Sequence, residues 1–294
     1  MSIATLIAAE TLLRDDIDAA ADRLRDAGLS VTDWAWIDEG RAADITADAP
    51  VSAIRTALAP LEERVDIVVQ PGTDRRKMLL VSDMDSTMLT VECIDELADY
   101  AGLKAEISAV TERAMRGELD FVEALRGRVK LLEGLEASAI ARCREERVRM
   151  MPGAQQLVRT MKGWGAHCLL VSGGFHHFAD PVAGEIGFDR AVANQLEVIA
   201  DRLSGAVTGP IVDSALKATL LQWSAADHAL PAAQTLAVGD GANDLPMLSI
   251  AGLGIAFRAK PLVKASAKQS ISNLGLDGIL YLLGYSDKDT LVLD

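Results

Sequence analysis

The chain has 294 residues, half of them hydrophobic, enough to bury a substantial core and to hold two domains rather than one. A formal net charge of −14 repels nucleic acid and anionic membrane surfaces, so neither is expected as a partner, and any anion must be bound by local positive sites. Cys93, Cys143 and Cys168 are too few for a disulfide framework and too scattered for a metal motif. With no basic leader and no apolar run near the ~20 residues of a membrane span, the expected setting is the reducing cytoplasm.

In chain order, the hydrophobic pattern predicts a strand over "ATLIAA" (4–9), a helix over "DDIDAAADRLRDAGL" (15–29) closing near Gly28, and strands over "VTDWAWI" (31–37) and "AADITA" (42–47). A helix over "VSAIRTALAPLE" (51–62) and a strand over "VDIVVQ" (65–70) follow. The order β-α-β-β-α-β describes a small ferredoxin-like α+β domain at residues 1–72, and it resembles the regulatory, amino-acid-binding ACT fold. The turn-rich, charged "PGTDRRK" (71–77) reads as a linker.

A second domain is expected over residues 77–294, where three apolar strands each run into a polar loop: "MLLVSDMDST", "HCLLVSGGF" and "TLAVGDGAND". Continuous apolar strands alternating with helices imply a parallel, Rossmann-like α/β sheet covered on both faces. Ligands in such sheets bind beyond the carboxyl ends of the strands. Residues from about 92 to 150 are helical, strongly charged and too long for a simple crossover, so they are expected to form an inserted cap.

The loops carry the chemistry. In "LLVSDMDSTMLTVE" (79–92) an apolar run meets Asp83 and Asp85, separated by one methionine. Like charges that close cost stability unless a cation or a proton lies between them. "GDGANDLPM" offers Asp240, Asn243 and Asp244 on a glycine-bearing loop, hard oxygen donors of the kind that suit Mg²⁺. Ser172, Gly173 and Gly174 can present a hydroxyl and open backbone N–H groups to phosphate oxygens. Lys217 falls in the first turn of a predicted helix, where the macrodipole mildly disfavours a cation. Each piece alone has an ordinary reading as a surface turn or a solvated lysine.

Together and in this order, "DMDST", "SGG", Lys217 and "GDGAND" resemble the four motifs of the haloacid dehalogenase superfamily over roughly residues 77–294. Within it, "VECIDELA" and "AMRGELDFVEALRGRVKLL" resemble the phosphoserine phosphatases. The resemblance implies a Mg²⁺-dependent phosphoric monoester hydrolase that converts O-phospho-L-serine to serine and phosphate, the last step of serine biosynthesis. It implies Asp83 as a nucleophile forming an aspartyl-phosphate and Asp85 as general acid, then base. It further implies metal ligation by Asp83, the main-chain carbonyl of Asp85 and Asp240, with Asp244 behind the ligands. Ser172, Gly173, Lys217 and Asn243 would hold the substrate's phosphoryl end. Transfer to another alcohol, or hydrolysis of another small phosphomonoester, stays open.

Substrate choice is expected in the cap. Phe121, Leu125, Arg128 and Leu132 are spaced by four, three and four, which sets a guanidinium in an apolar helical stripe. Such an arginine could grip a substrate carboxylate bidentately, and Glu92 could pair an ammonium group; a snorkelling or structurally paired arginine is the ordinary alternative. Both positions match the family's carboxylate- and amine-binding residues, and Met115 and Phe121 match its pocket lining. His176 and His177 are expected to pack or face solvent rather than react, and the four tryptophans to pack. Beyond the small-molecule substrate, a homodimer is left open as a partner.

Overall fold

The structure, a computed structural model, describes residues 1–8, 10–62, 64–116, 118–285 and 289, with the side chain of Met115 outside the described part. Six elements follow in the predicted order: β1 (Ser2–Ile7), α1 (Arg14–Asp26), β2 (Ser30–Asp38), β3 (Ala42–Asp48), α2 (Val51–Leu58) and β4 (Asp66–Pro71). They build an antiparallel sheet in the order β2-β3-β1-β4. β1 starts before its apolar run, because Ser2 already pairs with Ala47 and Pro71 on its two neighbours.

The two-residue period of a strand sorts the faces of this sheet. Ala4, Leu6, Ala43, Ile45, Ile67 and Val69 pack with α1 and α2. On the other face Ile7, Ala42 and Val68 join the main core of the protein. Polar groups on that face bond to the C-terminal part of the chain: Gln70 donates to the Leu282 carbonyl at 2.6 Å, and Asp66 accepts the N–H groups of Ser272 and Asn273. The predicted linker is anchored as well. Arg75 ion-pairs with Asp44 and donates to the carbonyls of Tyr281 and Leu282. Lys77 is buried, with its ammonium on the carbonyls of Asp74 and Ala233.

The rest of the chain runs β5 (Leu79–Ser82), α3 (Cys93–Asp99), α4 (Lys104–Met115), α5 (Phe121–Leu131), α6 (Ser138–Arg147), α7 (Ala154–Gly163), β6 (His167–Phe175) and α8 (His176–Ile186). It continues with β7 (Arg190–Ile199), β8 (Arg202–Thr208), α9 (Ser214–Asp227), β9 (Thr235–Gly239), α10 (Leu245–Ile250), β10 (Leu253–Phe257), α11 (Pro261–Ser266), β11 (Ser270–Ile271) and α12 (Gly278–Leu282). Seven strands form one sheet in the order β11-β10-β9-β5-β6-β7-β8, parallel except at β8. The fold is therefore the α/β class expected, with helices α3–α6 where a helical insertion was read.

Two details depart from the sequence reading. The β7–β8 hairpin occupies a stretch for which no strand was predicted. It turns through Ala200 and Asp201, both at positive φ (47° and 61°), without the glycine or asparagine that usually announces such a turn. The hairpin holds the segment after α5, through Gly134 N–H to the Leu203 carbonyl at 2.8 Å and Leu203 N–H to the Leu135 carbonyl at 2.9 Å. The second departure is Trp223, expected to pack but 60% exposed, because on α9 it lies opposite the inward face of Lys217, Leu221 and Ala225. Trp34 and Trp36 meet edge-on and Trp164 stacks on Tyr285, as packing residues do. The cysteines are free and buried, and among the described residues no helix is long and apolar enough to cross a membrane.

Candidate active site

Strand β5 delivers Asp83 to the carboxyl edge of the sheet, with its N–H on the Val238 carbonyl of β9 at 2.9 Å. The Asp83 Oδ1 accepts the Met84 N–H at 2.7 Å and the Lys217 ammonium at 2.9 Å. Beyond it the chain turns tightly: Met88 and Leu89 both donate to the Met84 carbonyl, and Ser86 adopts φ 55°. This turn is tied to the start of α3, since the Cys93 N–H donates to Asp85 Oδ1 at 3.1 Å and the Ser86 hydroxyl to Glu92 Oε1 at 2.6 Å. Met84 and Met88 are fully buried and fill space beneath the turn.

Two glycines at the end of β6 leave room for other groups. A Cβ on Gly174 would lie 2.7 Å from Asp85 Oδ2, and one on Gly173 would lie 2.7 Å from the Phe121 ring at the start of α5. The N–H of Gly174 donates to the Ser172 hydroxyl at 2.8 Å, which leaves the hydroxyl proton available to a ligand. Asn194 on β7 locks this turn, donating to the Gly173 carbonyl and accepting the Val212 N–H, both at 2.8 Å.

Lys217 is completely buried, 2.7 Å from Asp244 Oδ1 and 2.9 Å from Asp83 Oδ1. Burial pulls its pKa down, but the two carboxylates outweigh that and hold it above the usual lysine value. They also offset the helix macrodipole, since Lys217 lies in the opening turn of α9, capped by Asp213. Asp244 uses its other oxygen to accept the Gly241 N–H at 3.0 Å, and Asp240 accepts the Thr87 hydroxyl at 3.0 Å. Carboxylate oxygens of Asp83, Asp240 and Asp244 all lie within 4.8 Å of one another, and all three residues are buried. Burial, then the neighbouring acids, pushes Asp83 and Asp240 well above the usual carboxylate range, against the pull of Lys217 on Asp83. Closely set hard oxygens with unrelieved repulsion fit a divalent cation. Asp244 is already engaged at both oxygens, so Asp83 and Asp240 are the carboxylates left for it.

Beside this cluster lies a cavity lined by Asp83, Asp85, Glu92, Ile94, Thr111, Ala114, Phe121, Leu125, Arg128, Ser172, Gly173, Gly174, Phe175 and Asn243. Arg128, 6% exposed, donates through Nε to the Ala124 carbonyl at 3.2 Å and through Nη1 to the Thr111 hydroxyl at 2.9 Å. Its Nη2 group has no hydrogen-bond partner among the described residues. Burial pulls Arg128 below the usual arginine value, and the carboxylates of Glu92, Asp95 and Asp85 oppose this. Burial and Asp85 push Glu92 up to about 7, and burial likewise raises Asp85 despite the Cys93 hydrogen bonds.

The predicted residues therefore converge. Asp83, Asp85, Glu92, Phe121, Arg128, Ser172, Gly173 and Asn243 line the cavity, while Lys217, Asp240 and Asp244 stand behind Asp83. Met115 ends α4, but its side chain lies outside the described residues. His176 is structural, with Nδ1 on Asp180 and Nε2 accepting the Ala193 N–H. Sequence reasoning missed Thr87, Thr111 and Asn194. The one available hint was Asn194, a polar residue directly after the apolar "AVA" at 191–193.

Residues 80–249 match the haloacid dehalogenase-like hydrolase family, and the chain belongs to it. It is 48% identical, over 82% of its length and 60% of the other's, to a phosphoserine phosphatase of Streptomyces coelicolor. It is 46% identical to a phosphoserine phosphatase of Mycobacterium tuberculosis, over 76% of its length and 55% of that protein's, so the chain spans under two thirds of these relatives. Its structure is similar to a probable phosphoserine phosphatase from Vibrio cholerae, with a TM-score of 0.74, 35% identity, and 96% and 86% of the two chains covered. It is also similar to a structure described as a phospho-aspartyl intermediate analogue of phosphoserine phosphatase, with a TM-score of 0.67, 37% identity, and 70% and 98% covered.

Proposed function

We propose that this chain is a cytoplasmic, Mg²⁺-dependent phosphatase that hydrolyses O-phospho-L-serine to serine and phosphate, the last step of serine synthesis. One observation carries the reading: a single cavity is lined by Asp83 and Asp85 together with the buried guanidinium of Arg128, which keeps unbonded N–H groups, and the half-buried carboxylate of Glu92. That is the complement of a phosphate joined to an amino-acid zwitterion. The similar phosphoserine phosphatases support it. Residues 1–72 form the accessory unit in this reading, and residues 77–294 the catalytic one, with the cap at about 92–150.

Asp83 attacks the phosphorus, the bond from phosphorus to the seryl oxygen breaks, and Asp85 donates its proton to that oxygen. The raised pKa of Asp85 suits it to arrive protonated. Once ionised, Asp85 takes a proton from water, whose oxygen attacks the aspartyl-phosphate and releases phosphate. Lys217 holds Asp83 in place from behind, and Ser172 offers its O–H to the phosphoryl oxygens. Asp83, Asp240 and the Asp85 carbonyl would hold Mg²⁺, which supplies charge neutralisation and polarisation of the phosphoryl group. Asn243, on the loop that carries Asp240, and Phe121, at the start of α5, also line the cavity.

Phosphate release measured across phosphoserine, phosphothreonine, phosphoethanolamine and glycerol phosphate, with and without Mg²⁺ and with an added alcohol, tests the proposal. Phosphoserine should be the preferred substrate and chelation should stop turnover. A different preferred ester, or transfer of the phosphoryl group to the alcohol in place of water, contradicts it.

A further inference from the structure

Thr111 on α4 is 3% exposed, and its hydroxyl joins three helices. It lies 2.6 Å from Asp95 Oδ1 on α3, 2.9 Å from Arg128 Nη1 on α5 and 3.1 Å from the Ile107 carbonyl one turn back. Arginine can only donate, so the hydroxyl oxygen accepts from Arg128 and its single proton is left for an acceptor. The shorter contact assigns that proton to Asp95, and the Ile107 contact is the weaker back-bond common for threonine inside a helix.

We propose that Thr111 is a positioning residue for reading a substrate carboxylate: it relays the charge of Asp95 to Arg128 through a hydroxyl, so that the guanidinium is held without being consumed by an ion pair. A direct, bidentate Asp95–Arg128 pair would occupy the edge of the guanidinium that a ligand carboxylate needs. An unanchored arginine would instead lose rotamer freedom when the ligand binds. With Nε on the Ala124 carbonyl and one Nη1 hydrogen on Thr111, the Nη2 group and the second Nη1 hydrogen remain, and Arg128 lines the cavity. The inference rests on the phosphoserine reading given above.

Steady-state kinetics of the full chain with Thr111→Val and Thr111→Ser, on phosphoserine and on phosphoethanolamine, test it. Thr111→Val should raise KM for phosphoserine ~10-fold with kcat changed ~2-fold or less, and should lose ~10-fold more kcat/KM on phosphoserine than on phosphoethanolamine, which has no carboxylate. Thr111→Ser should recover most of the loss. Equal losses on both substrates, or no advantage of serine over valine, overturn the inference. If Thr111→Val does not fold by circular dichroism, Thr111→Ala against Thr111→Ser makes the same comparison. A wild type that does not favour phosphoserine over phosphoethanolamine refutes the functional reading and the inference with it; a wild type that does, with the preference intact in Thr111→Val, refutes the inference alone.

Discussion

Asp83 is the residue on which the proposed chemistry turns, and the groups around it state what each change should do. Asp83→Asn keeps the shape of the side chain but loses the nucleophile and one carboxylate for the cation, so phosphate release should fall below detection while the circular dichroism spectrum is unchanged. A residual rate of a tenth would contradict a covalent mechanism. Lys217→Met strips the cation from two buried carboxylates, and leaving such charges uncompensated should cost about 3–5 kcal/mol in urea unfolding in the presence of a chelator. A loss under about 1 kcal/mol would mean that the aspartates are neutral without it. Glu92 titrates near 7, above the ordinary 4.5, so folding favours its protonated form. Its contribution to stability is complete below 4.5 and disappears as pH rises through about 7. Binding an ammonium group needs the ionised form, so KM for phosphoserine should rise as pH falls below about 7, and Glu92→Gln should flatten that profile. A wild-type KM independent of pH between about 5.5 and 8 would remove Glu92 from the amine site. Asp83 and Asp85 were legible because charges that end an apolar run are costly and therefore informative. Thr87 and Thr111 were not, since their roles come from partners 153 and 17 residues away that no local pattern reveals.

Among the elements, the strand ends do the positioning. Strand β6 finishes in glycines because Asp85 and Phe121 occupy the space their side chains would take. Gly174→Ala should displace the Asp85 carboxylate and lower kcat ~10²-fold with little change in melting temperature, which kinetics and a thermal melt read together. An unaltered kcat would show that Asp85 can shift at no cost to the chemistry. The parallel strands could be read from sequence because both faces are buried and the runs are continuously apolar. Hairpin β7–β8 could not, because its turn uses Ala200 and Asp201 at positive φ and its exposed Val198 and Ile199 break the alternation a half-buried strand would display. The apolar stripe of α5 was read correctly, with Leu125, Arg128 and Leu132 all buried.

At the scale of the whole molecule, the N-terminal sheet and the C-terminal residues share one core. The expectation from "PGTDRRK" is a linker joining a separate N-terminal unit. Yet Arg75 bonds to Asp44, Tyr281 and Leu282, Asp66 caps the backbone after β11, and Ile7, Ala42 and Val68 pack with Leu276, Ile279 and Leu282. Thr5, Asp44, Asp66 and Gln70, the polar residues alternating with apolar ones in β1, β3 and β4, face a polar, ordered interface, which no local pattern in those strands distinguishes from a solvent face. A chain beginning at Arg76 should therefore melt at least ~5 °C lower than the full chain, because it exposes that apolar surface and loses these bonds. An unchanged melting temperature would make the contact incidental to stability. The central claim, that one cavity couples a phosphoryl-transfer centre to an amino-acid reader, is tested most directly by kcat/KM of wild type and Arg128→Ala on phosphoserine and phosphoethanolamine in Mg²⁺. Losing the desolvated charge should cost about 2–5 kcal/mol on phosphoserine and far less on phosphoethanolamine, so that the preference of the wild type collapses. Equal losses on the two substrates, or a wild type indifferent between them, would contradict the account.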